Sequence, residues 1–200
     1  MKTTTQIIAK EGFGGVLLCG ALAIVFYALC LYAAATIALL LTAISIAFFR
    51  NAERIPDERD SGVFIAPIDG EVSSILRTEN SVVVEVKNSF FDPHLIRSPV
   101  QSKKISLTKR GGLFGSFKEN LSYLAQKETL KIGKVQLTLL PSLKPSRIYT
   151  ERSAVFLGER IGFFYGGRAQ LELPLKTELR IGLGSRVYAG ESIIAFARSA

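Results

Sequence analysis

Residues 12–49 read GFGGVLLCGALAIVFYALCLYAAATIALLLTAISIAFF, 38 residues without a charge. A bilayer core of roughly 30 Å needs about 20 such residues as a helix. One helix of this length would reach about 57 Å at ~1.5 Å per residue, too long for a single span. Two helices in a hairpin fit instead, over about 15–30 and 32–49. Lipid-exposed backbone must satisfy its own hydrogen bonds, which helices do within one segment. Neither half shows a polar face, which argues against a buried hairpin of a soluble protein.

The flanks agree with this reading. Lys2 and Lys10 precede the stretch, and Arg50, Arg54 and Arg59 follow it. Two spans return both basic flanks to one side, which the positive-inside rule makes cytoplasmic. Ala33-Ala34-Ala35 resembles a signal-peptidase site. A signal sequence, however, has an apolar core of only about 7–15 residues, and this run continues to Phe49. The sequence therefore divides into an anchor (1–49), a charged link (50–62) and a β-rich domain (63–200), with the anchor placed in the cell's inner membrane.

The 200 residues carry 25 basic and 17 acidic side chains. Residues 1–49 hold two of the basic ones and one acidic, leaving 23 against 16, or +7, beyond the anchor. A basic domain tethered to a bilayer suits an anionic lipid surface. Nucleic acid is the other partner such charge suggests, but no zinc-finger spacing or compact basic helix is present. Cys19 and Cys30 both lie in the apolar stretch and form neither a disulfide framework nor a metal site. The lone histidine, His94, cannot build a multi-histidine metal site, and no metal is expected.

After the link come short apolar runs cut by Gly, Pro and Asn. Strands are expected at 64–66, 71–76, 82–86, 104–107, 134–140, 153–157, 160–165, 168–173, 178–181 and 192–197. Phe117, Leu121 and Leu124 are spaced for a helix over 117–127. A weak internal repeat pairs Ala66-Pro67 with Ser98-Pro99, and Leu157-Gly158 with Leu183-Gly184. Together these describe a mainly β, pseudo-symmetric, barrel-sandwich-like domain. Biotinyl and lipoyl carriers look similar, but they flank a modified lysine with methionines, and Met1 is the only methionine.

Three stretches could carry chemistry: Ala66-Pro67-Ile68-Asp69-Gly70, Phe91-Asp92-Pro93-His94-Leu95-Ile96-Arg97-Ser98-Pro99, and 158–174, GERIGFFYGGRAQLELP. Each has a structural explanation: an Asp-Gly hairpin turn, a satisfied histidine, and strands joined by glycine turns. In this order, however, they resemble the short, membrane-bound form of phosphatidylserine decarboxylase. Phe48-Phe49-Arg50-Asn51-Ala52-Glu53-Arg54 is similar to that family's FFRxPxR junction. The segment 91–99 matches FDxHxxRxP at every fixed letter, Gly158–Phe163 matches GERIGF, and Val187–Ala195 looks like the terminal strand.

The resemblance implies a proenzyme. In the family a serine attacks the preceding glycine carbonyl, the chain splits by elimination, and the serine becomes an N-terminal pyruvoyl group. That group accepts electrons when the lipid loses carbon dioxide. Asp69 and His94 match the acid and histidine that assist self-cleavage. Arg97 and Arg168 match candidate ligands for lipid phosphate or carboxylate. Phe114 and Phe117 lie in a basic-aromatic stretch, 109–118, placed like the family's loop beside the lipid.

One position departs from the pattern. Where the family has FGSRVD, this chain has Tyr165-Gly166-Gly167-Arg168-Ala169-Gln170. Gly167 replaces the serine, so the expected pyruvoyl group cannot form there, and Gln170 replaces an acid. Ser185, in Gly184-Ser185-Arg186-Val187, repeats the letters, but a cut there would release only 16 residues rather than 34. The sequence thus implies an anionic aminophospholipid as membrane partner, handled without turnover by one copy, a homo-oligomer or a pairing with an active paralogue. The alternatives are a decarboxylase that uses Ser185, and a carrier or scaffold barrel.

Overall fold

The computed structural model describes residues 7–54, 56, 62–115, 124–149 and 154–197, in two units, Met1–Glu53 and Arg54–Ala200. In the first unit a short 3-10 turn, Lys10–Gly12, leads into α1 (Phe13–Ala28), and α2 (Tyr32–Phe48) follows after three residues. The connection turns at Cys30, whose φ of 59° is the only positive value on a non-glycine residue among the described residues. The expected helix pair is present, with its turn one residue from the expected break.

The mouth of this hairpin is tied. Ile8 bridges Arg50, the Ala9 N–H donates to the Phe49 carbonyl at 2.7 Å, and the Asn51 N–H donates to the Ile7 carbonyl at 2.8 Å. Gly12 has no side chain because the Phe49 ring occupies that space. Lys10 and Arg50 therefore lie at the same end of the hairpin. Large apolar side chains point outward along both helices, Leu17 at 68% and Ile24 at 72% exposure, whereas the buried helix residues are Ala35 and Ala38. Small residues at the contact let helices approach closely, and outward leucines suit lipid. Lys10–Ala28 is long and apolar enough to cross a membrane, and Tyr32–Phe48 is equally apolar but shorter.

The second unit is strand and loop among its described residues, apart from a 3-10 turn at Leu124. Seven strands form the main antiparallel sheet: β2 (Gly70–Arg77), β3 (Ser81–Asn88), β5 (Ile105–Arg110), β6 (Lys127–Ile132), β7 (Val135–Pro141), β10 (Gly167–Pro174) and β12 (Arg186–Val187). Their order is β12-β2-β3-β10-β7-β6-β5. A three-stranded sheet joins β1 (Val63–Ile65), β13 (Ile193–Ala197) and β11 (Thr177–Leu179), and another joins β4 (Leu95–Arg97), β9 (Arg160–Phe163) and β8 (Arg147–Ile148). The sheets do not close into a barrel. Alternation fixes the core: Val84, Val86, Leu130, Leu137, Leu139, Ala169 and Leu171 turn inward against Ile96, Ile161, Phe164 and Ile194.

The repeat noted in the sequence is visible as reciprocal bonding. The Ile65 N–H donates to the Pro99 carbonyl, and the Arg97 N–H to the Pro67 carbonyl. Gly158 and Gly184 hold φ near +75°, at 73° and 76°, in the matching turns before β9 and β12.

The helix expected over 117–127 falls mostly on 116–123, outside the described residues; of the remainder, Leu124 lies in a 3-10 turn, Ala125 bridges Leu113, and Lys127 opens β6. The strand that follows is not among those expected, although Glu128, Leu130 and Ile132 alternate on its buried face. The strand expected at 153–157 reduces, within its described part, to one bridge between Val155 and Ser102, because the chain turns at Leu157 and Gly158.

Candidate functional site

Three neighbouring strands place the site. β10 begins at Gly167, which registers opposite Asn88 at the end of β3 and Pro141 at the end of β7. The loops leaving these residues carry His94 and Tyr165-Gly166. β4 pairs with β9, and the Phe164 N–H donates to the His94 carbonyl at 2.7 Å, which locks the histidine backbone against the chain entering Gly166.

His94 is buried, 1% exposed. Its Nδ1 lies 2.9 Å from Asn88 Oδ1, and its Nε2 3.2 Å from the Phe90 carbonyl. The orientation of the Asn88 amide follows from its other partners. Nδ2 donates to the carbonyls of Asp69 at 2.9 Å and Pro93 at 3.2 Å, so Oδ1 must face the ring and Nδ1 must donate. Two acceptors thus flank the imidazole, and only its doubly protonated form donates to both. The Phe163 ring packs beside it at 5.9 Å between centroids.

Asp69 is 2% exposed, in a loop that leads straight into β2 rather than forming a hairpin. Gly70 after it holds φ 155°, and the Lys87 carbonyl fills the place of its side chain. The Asp69 carboxylate pairs with Arg54 and accepts the Ala189 N–H. Burial pushes this carboxyl above its ordinary value, and the Arg54 guanidinium pulls against that shift. Arg54 also reaches Glu191 at 3.3 Å and lies over the Tyr188 ring. Asp69 therefore meets the histidine through Asn88, which bonds the Asp69 backbone on one side and the imidazole on the other.

The glycine pair is held tightly. The Ser142 N–H donates to the Gly166 carbonyl at 2.9 Å. Gly166 holds φ 76° and Gly167 holds φ 134°, conformations that favour residues without a side chain. A Cβ on Gly167 would collide with the Leu140 carbonyl and sit 3.1 Å from the Phe164 ring.

The remaining sequence candidates are dispersed. Arg97 is 8% exposed; its Nη1 donates to the Gly158 carbonyl at 3.0 Å, and its Cδ fills the space a side chain on Gly190 would need. It joins the turns at 67, 158 and 190. Arg168 follows Gly167 on the opposite face of β10, 3.8 Å from Glu85. Gln170 donates to the same Glu85 at 2.9 Å across the β3–β10 pair. An acid at 170 would place two carboxylates face to face. Phe114 is exposed beyond β5, and Phe117 lies outside the described residues. The Ser185 hydroxyl accepts the Gly182 N–H at 3.1 Å inside its turn.

Sequence reasoning missed Asn88. The signal was present: Val82, Val84 and Val86 point inward, so 88 does too, and an amide on a buried face asks for partners.

The model of phosphatidylserine decarboxylase matches residues 41–195. The chain belongs to the phosphatidylserine decarboxylase family. No solved structure matches it. The match spans every residue of the site, from Arg54 to Glu191, and places the protein in phospholipid metabolism. An apolar N-terminal helix pair, in a family that associates with membranes, points to membrane association. Members of this family use a pyruvoyl group. At Gly167 there is no side-chain oxygen, and the Leu140 carbonyl fills the space a Cβ would take.

Proposed function

We propose that this member of the phosphatidylserine decarboxylase family binds an anionic aminophospholipid without turning it over. Gly167 carries the reading. A residue without a β-carbon oxygen can neither attack the Gly166 carbonyl nor be converted to a pyruvoyl group. The surrounding helpers remain: His94 on Asn88, Asp69 beside them, and the Ser142 N–H on the Gly166 carbonyl. Such a cradle can still receive a headgroup. Lys10 and Arg50, at the same end of the hairpin, support a β unit on the cytoplasmic face of the cell's inner membrane. A second copy or an active paralogue is the partner that would give such binding a purpose.

The test is the intact mass of the purified chain with denaturing electrophoresis, followed by vesicle binding. One uncut chain of 21.8 kDa that prefers phosphatidylserine to phosphatidylcholine is expected. Two fragments, the smaller with a blocked N-terminus, would overturn the proposal. So would equal binding to both lipids.

A further inference from the structure

The strand registers gather six loops at one end of the main sheet. Asn88, Gly167 and Pro141 align across three strands; Gly70 pairs with Val187, and Arg110 with Lys127, at the same end. The described segments that leave there are 66–69, 89–94, 111–115 with 124–126, 142–146, 164–166 and 188–191. Around the buried His94 and Gly167 they expose Phe90, Phe91, Leu113, Phe114, Leu143 and Tyr188, with Phe91 at 80%. Four of the five exposed aromatic side chains among the described residues of this unit stand on this rim, and Phe156 is the other. The opposite end turns through Thr78-Glu79-Asn80 and Gly133-Lys134, and the one exposed ring near it is Phe156, next to Val155, which bridges Ser102 beside Gly133.

Exposed cations stand at both ends, with Lys103, Lys104, Lys131, Lys134 and Lys176 at the other one; only at the rim are they interleaved with the cluster of exposed rings. Lys87, Lys109, Arg110, Lys144 and Arg186 are exposed at the rim end, whereas its acids Asp69, Asp92 and Glu128 are buried. Glu71 is exposed there and the Glu191 side chain is 43% exposed, while Arg186 pairs with Asp92 and Lys109 with Glu128. Aromatic rings interleaved with cations are the composition that partitions into the headgroup layer of an anionic bilayer.

We propose that this rim is a membrane-docking surface: Phe90, Phe91, Leu113, Phe114, Leu143 and Tyr188 enter the interface of an anionic bilayer, and the five cations hold the headgroups. Docking of this kind is separate from the apolar helix pair. It brings the loops that cover the buried His94 and Gly167 to the depth of lipid headgroups. The inference deepens the lipid-binding reading and rests on it for the purpose of the surface.

The experiment uses the full chain with Cys19→Ala and Cys30→Ala. A polarity-sensitive fluorophore is attached after Phe91→Cys, or after Asn80→Cys at the opposite end as the control. Each protein is reconstituted into phosphatidylcholine vesicles, alone or with phosphatidylglycerol or phosphatidylserine, carrying a nitroxide lipid as quencher. Quenching at position 91 should exceed that at position 80 several-fold in both anionic vesicles, and should fall as salt is raised. Equal quenching at the two positions overturns the docking surface, even where vesicle binding still prefers phosphatidylserine. Strong quenching at 91 that is the same with phosphatidylglycerol and phosphatidylserine supports the docking surface and counts against headgroup selectivity in the lipid-binding reading.

Discussion

Asn88 stands between Asp69 and His94: its amide nitrogen donates to the Asp69 carbonyl at 2.9 Å, and its amide oxygen lies 2.9 Å from the His94 ring. The acid and the imidazole are thus related through a neutral residue, while the acid's own charge faces Arg54. This arrangement governs how the site responds to substitution.

Asn88→Ala removes a buried amide that serves three partners. Orphaned buried polar groups cost about 1–3 kcal/mol each, and water entering the gap recovers part of that. The expected loss is about 2–4 kcal/mol of unfolding free energy. Denaturant midpoints at equal slope measure it. A loss within experimental error would mean that the amide is replaced by water at no cost.

The raised pKa of Asp69 makes a signed prediction. A carboxyl whose folded value lies above 3.8 binds more protons folded than unfolded as the pH rises through that value. Its contribution to stability is therefore fully present below 3.8 and is lost as the pH climbs through the raised value. The stability of the native chain minus that of Asp69→Asn should fall across this window and then level off. A difference that instead grows with pH would show that Arg54 outweighs burial.

Gly167→Ala and Gly167→Ser share the collision with the Leu140 carbonyl and the strain of φ 134°. Both should lose stability to a similar degree, about 2–4 kcal/mol, as strained backbone and overpacking together imply. The serine variant, like the alanine one, should stay uncut. The appearance of a 34-residue fragment from Gly167→Ser would show that the backbone opens again around a hydroxyl.

Gln170→Glu sets a second carboxylate opposite Glu85 and removes the hydrogen bond that Gln170 donates. Opposed like charges in a strand pair cost about 0.2–1 kcal/mol, and salt screens them. A small destabilisation at neutral pH should shrink at high salt and vanish once the carboxylates are protonated. A salt-independent loss would point to packing instead.

What the sequence discloses here is whatever repeats locally. The uncharged run gave two helices, and alternating valines gave β3, because burial on one face imposes a period of two. Gly158 and Gly184 were legible as turns. The strand at Lys127–Ile132 was hidden because one of its three inward positions is a charged residue, Glu128, whose burial depends on distant partners. Long-range partners left no mark. Nothing near Asp69 announces Arg54, fifteen residues earlier, and nothing near Gly167 announces that the Leu140 carbonyl lies against it. The absent hydroxyl could be read directly, whereas the space closing behind it could not.

The Leu140 carbonyl makes position 167 costly to alter. A single codon would place serine there, but the first carbon of its side chain would meet that carbonyl, so β7 must yield before a hydroxyl can be housed. Selection for an oxygen at this position is therefore expected to recover compensating changes in β7 beside the one at 167.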